Sequence, residues 1–359
     1  MPTAPAAPAA PRLQDLPPRA AHFCLAVERF VREELGLDLR GRTVLAAFSG
    51  GLDSTALLAA LAVLAPRLGC AVAAAHLDHG LRPESATEAR AAARLCARLG
   101  LPCETGREDV GALAAARGLG LEDAARQARY AFLAGAMKRR GATVLAVGHV
   151  LEDLAEDVLM RLTRGAGWPQ LGGMRAWDRE RCLLRPLLLA PRARARALVA
   201  ALGLPWTEDP SNADPRFLRN RMRHTVLPQL LAENPNFLRQ VATQWRLARL
   251  DAEQFAAETA ALLSRAEAVP GAPGALLLPG ALLAPLAPAQ RLRLFKAALE
   301  ALGPGQPLAE GLFRLERAWA SGRGGAVLQF PGPKAAHILA GAARGVRFSR
   351  ADAGGANRA

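Results

Sequence analysis

The strongest constraint in the chain is an alternation of short apolar runs with helix-length segments between about residues 40 and 165. Residues 43–48 (TVLAAF) have the pattern of a buried strand, and residues 54–67 that of the helix after it. Strand patterns recur at 70–77, 101–105 and 143–148, with helical patterns at 85–99, 122–139 and 151–164. Such an order predicts a doubly wound, mainly parallel α/β sheet, in which ligands sit beyond the carboxyl ends of the strands.

After residue 165 the texture changes. Residues 175–196 hold seven arginines against Asp178 and Glu180, and a polar turn over residues 208–215 leads into Arg216, Arg219, Arg221 and Arg223. Residues 227–264 read as helical, a Pro/Gly-rich stretch follows, and residues 289–302 read as another helix. The expected domains are an Ala/Pro-rich disordered tail (1–20), a catalytic domain (21–228), a mainly helical domain (229–350) and a second disordered tail (351–359).

Charge narrows the partner. Lys+Arg number 46 against 32 Asp+Glu, a net +14, and only Lys138, Lys296 and Lys334 are lysines. A balance this basic favours a polyanion, since phosphate neutralisation releases counterions. The five cysteines (Cys24, Cys70, Cys96, Cys103, Cys182) form no C-x-x-C, which excludes a zinc ribbon and a disulfide scaffold. With no secretory signal pattern and no long unbroken apolar run, a cytoplasmic protein with no membrane partner is expected.

Chemistry concentrates first in Ser49-Gly50-Gly51-Leu52-Asp53-Ser54, directly after the first strand and opening a helix. Two glycines let backbone approach an anion, and helix N-terminal amides face it with favourable polarity. Asp53 is unfavourable beside bare phosphates unless it binds a cation such as Mg²⁺ or shapes the loop. A second concentration is His149, Asp153 and Glu156. At 100° per residue they project at about 0°, 40° and −20°, while Leu151, Leu154, Val158 and Leu162 gather opposite. Carboxylates on that face suit a cationic amine or a metal. Glu122, Arg126 and Arg129 share another helix face, beside Tyr130.

SGGLDS resembles the PP-loop of the ATP pyrophosphatases, which cleave ATP between its α and β phosphates. With His76-Leu-Asp-His-Gly80-Leu81-Arg82, Ala125-Arg126-x-x-Arg129-Tyr130, the His149/Asp153/Glu156 spacing, Asp209-Pro-Ser-Asn212 and Arg219-Asn220-x-x-Arg223, the chain resembles the tRNA(Ile)-lysidine synthetases from about residue 42 to 228, and more weakly to about 322. The resemblance implies a ligase that uses ATP and Mg²⁺ to join free L-lysine to the wobble cytidine of the CAU-anticodon isoleucine tRNA. The base is first adenylated; the lysine amine then displaces AMP. It further implies that Ser49, Gly50, Gly51, Leu52, Asp53, Ser54 and His76 hold ATP, with Asp53 on the metal. Asp153 and Glu156 would bind lysine. His149, Arg129, Asp53 and Arg221 would be catalytic, and Arg219, Arg221 and Arg223 would face tRNA. A homodimer is allowed.

The match is not uniform: Glu152, Leu154 and Asp157 stand where the family motif has Asp, Gln and Thr. Two other readings compete. A tRNA thiolation enzyme of the same superfamily needs paired cysteines, against which the scattered ones here count. A non-catalytic basic tRNA-binding protein leaves the glycine loop and the acidic face without purpose.

Overall fold

The computed structural model describes residues 11–80, 85–207, 214–269, 272, 274–341 and 344–350. Contacts divide the chain into two units, Met1–Arg249 and Leu250–Ala359.

The first unit is built on a six-stranded sheet of order β3-β2-β1-β4-β6-β5. Its strands are β1 (Thr43–Ala47), β2 (Ala71–Asp78), β3 (Cys103–Arg107), β4 (Val144–Ala146), β5 (Trp177–Asp178) and β6 (Leu183–Leu184). All pairings are parallel except β5 with β6. The helices among them are α1 (Pro18–Arg29), α2 (Leu52–Leu68), α3 (Ser85–Arg98), α4 (Val110–Arg117), α5 (Leu121–Arg140), α6 (Leu151–Thr163) and α7 (Arg192–Ala201). Then come α8 (Leu218–Arg221), a wider π turn at Met222–Val226, α9 (Leu227–Glu233) and α10 (Phe237–Leu263).

Side chains alternate across β1, and each face has its own core. Val44 and Ala46 join Leu57, Leu58, Leu61 and Leu64 of α2 with residues of α1 and α7. Leu45 faces the other way, onto Leu133 and Ala136 of α5. Each fully buried leucine of α2 contributes about 2 kcal/mol from burial, so α2, and the loop that opens it, are firmly held. The strand order reverses direction at β1, whose neighbours are β2 and β4. The loops after β1 and β4 therefore flank the crevice where ligands of such sheets bind.

Two expectations change. Of the tail expected to be disordered over 1–20, residues 13–15 instead form a 3₁₀ turn and α1 starts at Pro18, where proline's missing N–H costs nothing. Leu16, Ala20, Phe23, Cys24 and Val27 are buried in the α2 core, which anchors this segment. The contact division also falls within α10, downstream of the boundary expected after residue 228. Helix α9 and the first half of α10 send Leu227, Val241, Ala242 and Trp245 into one cluster with Leu151 and Leu154 of α6. The Trp245 indole N–H donates to the Met174 carbonyl at 2.9 Å.

The second unit combines α11 (Gly280–Leu283), α12 (Pro288–Ala301) and α13 (Ala309–Ala320) with an antiparallel sheet of order β7-β8-β11-β10-β9. Its strands are β7 (Glu267–Ala268), β8 (Leu276–Pro279), β9 (Val327–Phe330), β10 (Lys334–Leu339) and β11 (Gly345–Arg350). Leu294, Phe295 and Leu299 of α12 and Leu315 and Trp319 of α13 share its core with Leu328, Ile338, Val346 and Phe348. The helices match the expected texture; the sheet went unread in the sequence. Among the described residues no helix is long and apolar enough to cross a membrane. The expected tail over 351–359 lies outside the described residues.

Candidate active site

The glycine loop is held open by its own backbone. Gly50 has φ +87°, a conformation that favours glycine, and its carbonyl accepts the Thr207 N–H at 2.9 Å. The first hydrogen bond of α2 runs from Thr55 N–H to the Gly51 carbonyl at 2.9 Å. The amides of Leu52, Asp53 and Ser54 precede it and have no acceptor within the helix. The Ser54 hydroxyl donates to the Gly51 carbonyl (2.9 Å) and accepts the Ser49 N–H (3.2 Å), which closes the loop into a cradle. Leu52 packs its side chain on the core, leaving its amide as its polar contribution. Gly148, in the loop after β4, lies so close that a Cβ there would stand 2.7 Å from the Asp53 carbonyl oxygen.

His76 braces the loop from beneath. Its ring is buried and its Nδ1–H donates to the Phe48 carbonyl at 3.0 Å. That position holds the end of β1 and turns the imidazole into a support for the loop backbone.

Across the crevice, the start of α6 carries the acidic face. Asp153 and Glu156 are 4% and 0% exposed, and three guanidinium groups converge on them. Arg219 donates Nη2 to Asp153 (2.8 Å) and Nε to Glu156 (2.9 Å). Arg223 donates Nη2 to Asp153 (2.7 Å) and Nε to Glu156 (2.6 Å). Arg192 at the start of α7 reaches Asp153 (3.3 Å) and also Asp53 of the cradle, where Nε is 3.1 Å from both oxygens. Glu152 accepts the Arg192 backbone N–H at 2.9 Å, capping α7 and fixing where that arginine starts. Burial pushes the Asp153 carboxyl up, but Arg219, Arg192 and the Val150 N–H outweigh it and hold it below the usual range. Asp53 goes the other way, because burial outweighs Arg192 and raises it.

His149 sits beside this pair. Arg185 donates Nε to its Nδ1 at 3.0 Å, so the neutral ring carries its proton on Nε2. Burial, reinforced by Arg185, Arg219 and Arg129 against the opposing Asp153, lowers the imidazole to about 4. Arg129 on α5 is thus close enough to act on His149 by charge, while its own side chain is exposed. Arg126 lies over the Tyr130 ring at 5.1 Å on the same face.

The three arginines expected to face tRNA separate. Arg219 and Arg223, four residues apart, share a face and bind the carboxylates. Arg221 turns away and donates Nη1 to the Pro215 and Arg216 carbonyls, both at 2.8 Å. Leu81 and Arg82, and the motif at 209–212, lie outside the described residues. Of the family departures, Leu154 is fully buried in the α9/α10 cluster and Asp157 pairs with Arg161 at 2.8 Å. Arg192 is the functional candidate that the sequence does not reveal, while Arg185 and Glu152 stand in recognisable motifs that assign them no role. Arg192 is one of seven arginines in its stretch, with no local pattern to single it out.

No group of three or more His, Cys, Asp or Glu side chains among the described residues is arranged to hold a metal ion. Asp53, whose two oxygens meet Arg192 Nε at 3.1 Å, is the carboxylate of the glycine loop and has the donor type that Mg²⁺ takes beside substrate phosphates.

A family description, the PP-loop domain, matches residues 22–230. A tRNA(Ile)-lysidine synthase from Nitratidesulfovibrio vulgaris is 50% identical over 322 residues, covering 86% of this chain and 93% of that protein. Another from a Methylobacterium species is 44% identical over 288 residues, covering 79% and 81%. Among solved structures, the U34-tRNA thiolase NcsA of Methanococcus maripaludis superposes with a TM-score of 0.52 at 20% identity, over 64% of this chain and 80% of that one. That likeness concerns the fold.

Proposed function

The chain belongs to the tRNA(Ile)-lysidine synthase family and carries its PP-loop domain, and from that premise we propose how its residues divide the work. The protein is an ATP-using ligase that forms lysidine in isoleucine tRNA. Its second substrate is free L-lysine, its acceptor the wobble cytidine of the CAU anticodon, and its working compartment the cytoplasm. The second unit, from Leu250 on, contributes tRNA binding.

In the first step the cytidine 2-oxygen attacks the α-phosphorus and pyrophosphate leaves. The amides of Leu52, Asp53 and Ser54 and the positive end of α2 take up the charge of the departing phosphates. Ser49, Gly50, Gly51 and Ser54 shape that cradle. Asp53 would hold Mg²⁺ there, and the ion would supply positive charge against the phosphates. His76 keeps the loop in place from below.

In the second step the lysine amine, having given its ammonium proton to solvent, attacks C2 of the base; the C–N bond forms, the C2–O bond to the adenylate breaks and AMP leaves. Asp153 and Glu156 seat the ammonium. Asp153, held below the usual carboxyl range, acts as a charged seat and not as a base at neutral pH. His149 offers Nε2–H to the adenylated intermediate, since its other nitrogen is already bonded to Arg185. Arg129 and Arg221 add positive charge toward the RNA side.

One observation carries this reading: Arg192 joins Asp53 of the phosphate cradle to Asp153 of the acidic face. A single guanidinium therefore keeps the two half-sites within one side chain of each other. The test is incubation with ATP, Mg²⁺, labelled lysine and the CAU-anticodon isoleucine tRNA. Label should enter tRNA only when ATP is present, with AMP and pyrophosphate released. Sulfur transfer without lysine, or tRNA retention without AMP release, would instead favour the thiolation or the binding-protein reading.

A further inference from the structure

The acidic seat already holds cations. Asp153 Oδ1 accepts from Arg192, Arg219 and Arg223, and Oδ2 accepts the Val150 N–H at 2.9 Å. Glu156 Oε1 accepts from Arg223, and Oε2 from Arg219 and again from Arg223 at 3.1 Å. Two carboxylates offer about eight lone-pair sites in all, and an ammonium brings three more donors. The ion pairs are equally full: Asp53, Asp153 and Glu156 face Arg192, Arg219 and Arg223, with Glu152 on the Arg192 backbone N–H. An added lysine ammonium would bring more donors to Asp153 and Glu156 than their lone pairs can accept, leaving buried polar groups unpaired, which is unfavourable.

Lysine can therefore enter only by exchange. Arg192 is the poorest candidate to leave, because its backbone is capped by Glu152 and its side chain also holds Asp53. Arg219 and Arg223 stand one turn apart on a short segment whose other arginines, Arg216 and Arg221, are exposed. The Arg219 side chain itself is 41% exposed. Guanidinium groups match phosphate at least as well as carboxylate, through the same paired N–H geometry.

We propose that Arg219 and Arg223 are exchangeable occupants of the lysine seat, released from Asp153 and Glu156 when RNA phosphates draw them away, so that tRNA binding opens the seat to the amino acid. This rests on the assignment of Asp153 and Glu156 to the lysine ammonium made above. It gives the two arginines successive partners, carboxylate and then phosphate. Coupling of this kind is reciprocal: whatever factor tRNA adds to lysine affinity, lysine adds to tRNA affinity.

Calorimetric titration of lysine into the full-length protein, with a non-hydrolysable ATP analogue present, tests it. Titrations are run without RNA and with the CAU-anticodon isoleucine tRNA. Lysine should bind at least fivefold more tightly to the tRNA complex, and tRNA should gain the same factor from lysine. Arg219→Gln should tighten lysine binding to the RNA-free protein and bring the ratio toward one. The wild-type ratio stands alone should that variant fold poorly. Equal lysine affinity in the two wild-type states would overturn the exchange while leaving the seat assignment intact. No lysine binding in either state would remove the seat assignment, and the exchange with it.

Discussion

Arg192 Nε lies 3.1 Å from each carboxylate oxygen of Asp53, a residue 139 positions earlier in the chain. The same guanidinium touches Asp153 through Nη2 at 3.3 Å. Its position comes from α7, which packs against α2 and is capped at its start by Glu152. The phosphate cradle and the acidic face are thereby coupled by one side chain.

Lysine in place of Arg192 keeps the charge but cannot reach both acids with a planar fork. Breaking a part-buried charge pair of this kind costs about 3 kcal/mol. Arg192→Lys should therefore lower kcat/KM for ATP by roughly 100-fold with the fold retained by circular dichroism. A loss smaller than threefold would show that the bridge has no part in the reaction.

Asp153→Asn removes the charge that the lysine ammonium needs while freeing arginines that favour RNA. The expected result is a lysine KM raised at least tenfold, about 1.4 kcal/mol, with tRNA affinity undiminished. Filter binding of tRNA beside lysine saturation kinetics separates the two. Unchanged lysine saturation would remove Asp153 from the seat.

His149 makes stability depend on pH. Folded, it titrates at about 4, mainly through burial; unfolded, it titrates near its ordinary 6.5. Between those values the unfolded chain binds more protons, so stability should fall as pH drops through that window and level off above it. The contribution of this one group is about 3 kcal/mol at most. Urea unfolding of wild type and His149→Gln from pH 7.5 to 4.5 should show a smaller slope for the variant. Parallel slopes would mean that the imidazole is not held neutral.

Backbone proximity gives a prediction that uses no charge. A Cβ at Gly148 would meet the Asp53 carbonyl carbon at 2.9 Å and the Ser54 nitrogen at 3.1 Å, both rigid backbone atoms. Gly148→Ala should push the cradle out of shape, weakening ATP binding at least tenfold and lowering stability by about 1–3 kcal/mol. Gly167→Ala is the control, since open space surrounds that position. Equal ATP affinities for the two variants would contradict the close approach.

The parts of the site that were legible in the sequence are those made by neighbours along the chain. The S-G-G-L-D-S turn needs only a strand before it and a helix after it, and β1 and α2 supply both. Asp153 and Glu156 share a face of α6 because helical periodicity puts them there, and both are bridged by the same two arginines; His149, expected on that helix, stands in the loop before it, because α6 begins only at Leu151. His76, expected at ATP, bonds the Phe48 carbonyl through Nδ1, at the start of the glycine loop that follows β1. In the C-terminal unit, strands such as β9 and β10 are short and rich in small or mixed residues. The exposed–buried alternation of β9 runs over four residues only, and β10 is buried along most of its length, so neither carries a long periodic signal.

By itself the amino-acid order determined the strand–turn–helix cradle, the acidic stripe of α6 and the parallel α/β plan, because backbone geometry and side-chain periodicity act over a few residues. Only the tertiary structure decided which cations meet those acids. Arg192 looks like any other arginine in a chain that has dozens of cations, and the Arg219/Arg223 motif points to RNA and not to a carboxylate partner. Their selection depends on packing that carries α7, α8 and the turn after it to the mouth of the sheet, and the attraction between charges far apart in sequence appears only once the chain has been folded into proximity.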